Sequence, residues 1–140
     1  MKIEINKLVS DKIDFEFLEK FAKKILSLDK LGTKISKKFS ELSIAIVDDE
    51  KIKALNKKYL NKDRITDVLA FDYGEIIICL DQAKRQAKEL NLSTEQELAI
   101  LLIHGILHLA GYNDRIKKDK EKMFKQQNKT FKEVWQKIKS

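Results

Sequence analysis

The chain has 140 residues, 43% of them hydrophobic and 36% charged, with four glycines, no proline and a formal net charge of +7. That length predicts one domain over residues 1–140, and so little glycine and proline leaves little room for a long flexible linker or a proline-rich tail. No stretch approaches the roughly 18 consecutive apolar residues of a membrane span, and MKIEINKLVS lacks the apolar block of a signal peptide, so the expected setting is cytoplasmic with no membrane partner.

Lys2 to Leu8 alternates apolar and polar residues and reads as a first strand, with Ile3 and Ile5 on one face. Asp14 to Leu28 reads as a helix, because Phe15, Leu18, Phe21, Ala22, Ile25 and Leu26 recur at three-and-four spacing. Glu41 to Val47 is a second strand, and Asp48 and Asp49 then supply N-cap chemistry for a helix to about Tyr59. Two strand-like runs follow, Thr66 to Phe71 and Glu75 to Leu80, joined through Asp72, Tyr73 and Gly74 as a hairpin. Cys79, the lone cysteine, can neither staple the fold nor build a thiolate cluster, and reads as a buried core thiol. Asp81 is placed as the cap of a helix running to Leu90.

Ser93 with Gln96 three residues on forms a capping box, and Leu98 to Leu109 is apolar almost all round, which predicts a helix buried in the core. His104 and His108, the chain's two histidines, lie one turn apart on one face of it. A single buried histidine is ordinarily a satisfied core residue. Two on one turn bring polar nitrogens that cost about 1 to 3 kcal/mol each if unpartnered, and a shared cation satisfies both.

Gly111 suits the left-handed position that ends the helix and returns Tyr112, Asn113 and Asp114 toward the histidines. The spacing His-x3-His-x5-Asp then offers zinc two imidazoles and a carboxylate, with a fourth position left for water. Asp114 is the favoured third ligand; Asn113, Asp67, Asp72 and Glu75 are alternatives, and pairing of Asp114 with Arg115 or Lys117 is the plain structural explanation. A zinc peptidase would need Glu directly after the first histidine, where this chain has Gly105. A mononuclear iron oxygenase would need a β-barrel, for which the helices leave no room.

From Arg115 to the C-terminus ten Lys or Arg face three carboxylates, while the preceding 114 residues balance at 19 bases and 19 acids. Such a basic segment suits a phosphate-rich partner, although 26 of the 29 bases are lysines spread along the chain and a charge run is commonly only a solvated face. Lys117, Lys118, Lys120 and Lys122 are expected to begin a face that holds a phosphate backbone.

The string HGILHLAGYND (His104 to Asp114) resembles H-G-x-L-H-L-x-G-Y-D-H, the signature of the YbeY family of metal-dependent bacterial endoribonucleases. LNKKYLNKDRITDVLAF (Leu55 to Phe71) is similar to that family's L-N-x-x-Y-R-x-K-D-x-P-T-D-V-L-S-F, GEIIIC (Gly74 to Cys79) to its G-D-I-x-I, and MFKQQ (Met123 to Gln127) to its Met-Phe-x-x-Gln helix. The resemblance implies an α+β fold, a small mixed four-stranded sheet flanked by helices with the metal-binding helix in the core. It also implies one zinc ion and cleavage of single-stranded ribosomal RNA, in maturation of the small ribosomal subunit and ribosome quality control. By position, His104 and His108 match its first two metal ligands. The chain departs from the pattern at Asp114, where the family has a third histidine, and at Leu60, where it has an arginine that serves phosphate or catalysis. Arg64 is the substitute expected to reach that phosphate, and Asp67 the group expected to help the proton chemistry. Ile65 and Ala70 replace a proline and a serine and read as structural. With one ligand position altered and that arginine lost, the competing expectation is a ribosome- or RNA-associated zinc protein with reduced or no catalysis.

Overall fold

A computed structural model describes residues 1–139. Strand β1 (Lys2–Lys7) leads into α1 (Phe15–Leu26) and α2 (Asp29–Lys38), then β2 (Glu41–Val47) and α3 (Asp49–Leu60). The hairpin of β3 (Val68–Phe71) and β4 (Glu75–Cys79) follows, and α4 (Leu80–Leu90), α5 (Thr94–Leu109) and α6 (Lys117–Lys139) complete the chain. The four strands form one mixed sheet in the order β1-β2-β4-β3, with β3 alone antiparallel to its neighbour. This is the expected α+β architecture. Among the described residues no helix is long and apolar enough to cross a membrane.

Ile44 to Val47 of β2 and Ile76 to Cys79 of β4 are apolar without interruption because both faces of the sheet are covered there. Leu42, Ile44 and Ile46 of β2 and Ile76 and Ile78 of β4 enter the larger core, with α1, α5 and α6. The alternate residues Ala45, Val47, Ile77 and Cys79 pack on the opposite side with Ile52 of α3. Helix α5 lies buried in the larger core, as its apolar sequence requires, and Ser93 and Gln96 make both bonds of the capping box. It approaches β4 so closely that a Cβ on Gly105 would lie 2.7 Å from Cγ2 of Ile76.

Several boundaries differ from the sequence expectation. Asp14 is the N-cap of α1, which ends at Leu26; Leu28 turns to extended backbone and opens α2. Helix α2 escapes the periodicity reading because within it only Leu31 and Ile35 are buried apolar side chains, and Gly32 weakens helix propensity. That glycine is there for space: a Cβ on it would lie 2.0 Å from the carbonyl oxygen of Leu26. The first run of the hairpin becomes strand only from Val68, and Leu80 opens α4 rather than ending β4. Asp81 does not cap its own helix; Oδ2 accepts from the backbone N–H of Asp49 at 2.9 Å and caps α3 instead.

Candidate metal centre

Ending α5 decides where its histidines look. Ala110 is the C-cap, Gly111 takes φ +105°, and the N–H groups of Gly111 and Tyr112 return to the carbonyls of His108 and Leu107 at 3.1 and 3.0 Å. Lys38 of α2 donates to the carbonyl of Leu109 at 3.2 Å and helps satisfy the same helix end. The reversal brings Asp114 back over the last turn of α5, as the glycine predicted.

Nε2 of His108 lies 3.2 Å from Nε2 of His104, and Oδ2 of Asp114 lies 3.9 Å from Nε2 of His108. One donor atom from each of the three residues falls within 4.8 Å of the others. Two nitrogens bound at about 2.0 to 2.1 Å to a tetrahedral ion stand about 3.3 Å apart, so the imidazoles already hold ligand spacing. The Asp114 side chain is half-exposed and needs only a small movement to close the set.

Nδ1 of His104 is 2.8 Å from Oε1 of Gln127, a buried residue of α6. With a carbonyl oxygen as partner, Nδ1 carries the proton and Nε2 keeps its lone pair for the shared centre. Burial, and then the His104 ring, hold the pKa of His108 below the usual histidine range, against the opposing pull of Asp114. Both rings are therefore available to a cation rather than turned to main-chain groups. The donor set, two nitrogens and a carboxylate, fits zinc.

A second cluster, Asp49, Cys79 and Asp81, has donors equally close together. It fits a metal poorly. Arg85 already holds both oxygens of Asp49 at 2.7 and 2.9 Å, and burial pushes the Cys79 thiol up to about 12, far from a thiolate.

Arg64 and Asp67, three residues apart in sequence, fall on different sides of the histidines. Asp67 shares the wall of a cavity of about 800 Å³ with His104 and Asp114. Arg64 lines a separate cavity of about 280 Å³ with His108, Leu60 and Lys62. Its loop is fixed by Asn56, a buried residue of α3 whose Nδ2 donates to the Arg64 carbonyl at 3.0 Å. Of the four candidate lysines, Lys117 and Lys120 line the larger cavity, Lys122 lies beside the Tyr112 turn, and Lys118 is exposed outside all three of these cavities. Gln127 and Glu97 were not singled out from the sequence as site residues. Gln127 did leave a signal: it follows buried Met123 by four residues and precedes buried Thr130 by three, a polar residue at a core position of the helix.

The family model described as Endoribonuclease YbeY matches residues 4–135. The chain belongs to the YbeY family. The Endoribonuclease YbeY of Aquifex aeolicus is 40% identical over 130 residues, covering 86% of this chain and 83% of the relative. That of a Sulfurihydrogenibium species is 39% identical over 143 residues, covering 93% and 90%. The solution structure of TM1509 from Thermotoga maritima superposes with a TM-score of 0.67 at 32% identity, covering 99% of this chain and 92% of that one. Curated YbeY relatives carry the name endoribonuclease, and this YbeY-family chain is accordingly placed among nucleases, with His104, His108 and Asp114 as residues able to hold a metal ion.

Proposed function

We propose that the chain is a zinc-dependent endoribonuclease that cleaves single-stranded ribosomal RNA in the cytoplasm, acting on the small ribosomal subunit in rRNA maturation and ribosome quality control. The observation that carries this reading is the convergence of His104, His108 and Asp114 between two cavities that each bear cations, Lys117 and Lys120 on one side and Lys62 and Arg64 on the other. When bound, a divalent ion there supplies Lewis-acid polarisation and an acidified water at neutral pH. The protein's own contribution is placement. Gln127 fixes the tautomer of His104, and the lysines of α6 attract the phosphate backbone. Arg64 offers a guanidinium to phosphate from the cavity where Leu60 stands in place of the family's arginine. Both histidines are taken up by the metal centre, so Asp67 is the group assigned to accept or return a proton.

The alternative, an RNA- or ribosome-associated metal protein without catalysis, draws its support from Leu60, which puts an apolar side chain into the His108 cavity. Incubating zinc-loaded wild type and Asp114→Ala with single-stranded RNA separates the two. Cleavage by wild type and its loss in the variant is the expected result. Equal cleavage by both overturns the catalytic centre, and cleavage by neither leaves the binding protein.

A further inference from the structure

Coordination accounts for His104 and Asp114 but for little else in the cavity of about 800 Å³ that they help to line. Its remaining wall is unusual for a polyanion site. Leu90 of α4 and Phe124 of α6 contribute apolar surface while being 60% and 61% exposed, an aliphatic and an aromatic side chain offered to solvent beside a charged centre. Glu97 of α5 also lines it, and is only 2% exposed. Gln86 donates to Oε2 of Glu97 at 2.6 Å, while no group of the described residues donates to Oε1. A buried carboxylate with an unused acceptor, in a cavity whose cations are Lys117 and Lys120, is costly unless something that enters brings N–H donors.

Glu97 and His104 lie seven residues apart on one face of α5, about 10 Å along the axis. A nucleotide whose phosphate sits at the metal centre and at Lys117 spans that interval with its sugar and base. We propose, resting on the nuclease reading above, that this cavity receives one unstacked base of the RNA strand, stacked on Phe124 with its edge on Glu97, and that the base preferred is guanine. Guanine is the base that presents two adjacent N–H donors, at N1 and N2, to a carboxylate. Adenine and cytosine each offer one amino group beside an acceptor, and uracil offers one N–H between two acceptors. The wall thus combines an aromatic platform and two lysines, Lys117 and Lys120, set among the carboxylates of Asp67, Asp114 and Glu121, with one buried group able to read a base edge.

The zinc-loaded full chain, titrated with GMP, AMP, CMP and UMP and followed by backbone amide shifts, tests this directly, since the phosphate contribution is common to all four. GMP is expected to bind about tenfold more tightly than the others, with shifts centred on residues 97–101 and 123–128. Glu97→Gln keeps the volume and the bond from Gln86 but turns an amide N–H₂ toward the base, so the guanine preference should vanish. Phe124→Ala removes an exposed ring without disturbing the core and should weaken all four by about tenfold. Four equal affinities, or shifts confined to other elements, overturn the base pocket even if RNA is cleaved. Selective GMP binding without RNA cleavage would instead overturn the nuclease reading and leave the pocket standing.

Discussion

Gln127 of α6 accepts a hydrogen bond from Nδ1 of His104 on α5 across 2.8 Å, joining two helices at the point where the metal donors meet. The bond fixes which nitrogen carries the proton and how the ring is turned, and Nε2 is thereby presented 3.2 Å from its counterpart on His108. Gln127→Met keeps the side chain's length and removes the acceptor. Zinc affinity, measured by competition with a chelator, is expected to fall about 10- to 100-fold with the fold intact. The direct ligand variant His108→Ala should lose stoichiometric zinc altogether. Unchanged affinity in Gln127→Met would reduce the contact to packing.

Acid should expose the state of the second ring. Burial and the neighbouring imidazole keep the pKa of His108 below its ordinary value, so the ring is neutral at physiological pH and no proton has to be displaced for a metal to bind. Zinc affinity is therefore expected to stay level as pH falls from neutrality to about 6.5, and to decline only below it. A decline that began well above that value would mean that Asp114, which pulls the other way, dominates the ring.

What could be read from the sequence was what depends on local geometry. The imidazole pair follows from helical periodicity alone, and the return of Asp114 follows from one glycine at a helix end. What could not be read depends on partners distant in the chain. Gln127 stands 23 residues from His104, and only the packing of α6 on α5 brings them together. Asp81 looked like the cap of its own helix but serves α3, because the parallel crossover sets the two helix starts side by side. Arg64 and Asp67, three residues apart and both expected at the catalytic centre, are delivered to different cavities by the chain entering β3. Helix α2, short and polar, is held by its corner with α1, a contact that no periodicity reports.

The buried carboxyl of Glu97 should leave a mark on stability. Burial raises its pKa and so does Asp67, against the lowering effect of the bond from Gln86. A raised folded-state pKa means that the protonated form is the one that suits the fold. Its contribution is fully present below the ordinary carboxylate value of about 4.3 and is lost as pH rises through the folded value. Glu97→Gln, neutral at every pH, should then be the more stable protein at neutral pH, by about 1 kcal/mol or about 3 °C in Tm. Thermal melts from neutral pH down to about pH 4 should show that advantage closing. A variant less stable than wild type at neutral pH would mean that the ionised carboxylate is held by more than Gln86.

Gly105, between the two histidines, poses a contest of magnitudes. Alanine in a helix interior is worth about 0.5 to 1 kcal/mol over glycine by propensity alone, which argues that Gly105→Ala should stabilise α5. Its Cβ, however, would lie 2.7 Å from Cγ2 of Ile76 and 3.2 Å from Cγ1 and Cδ1. Ile76 is fully buried on β4, and its Cγ2 is fixed to a branched Cβ that cannot swing away. Overpacking of this kind costs about 1 to 3 kcal/mol, which outweighs the gain. The helix can relieve it only by lifting off the sheet, and that movement carries His104 and His108 with it. Gly105→Ala is expected to lower the urea midpoint and to weaken zinc binding together, and Ile76→Leu, which lacks the offending methyl, should recover part of both in the double variant. A single variant more stable than wild type, with zinc affinity intact, would mean that α5 does not approach β4 this closely in solution.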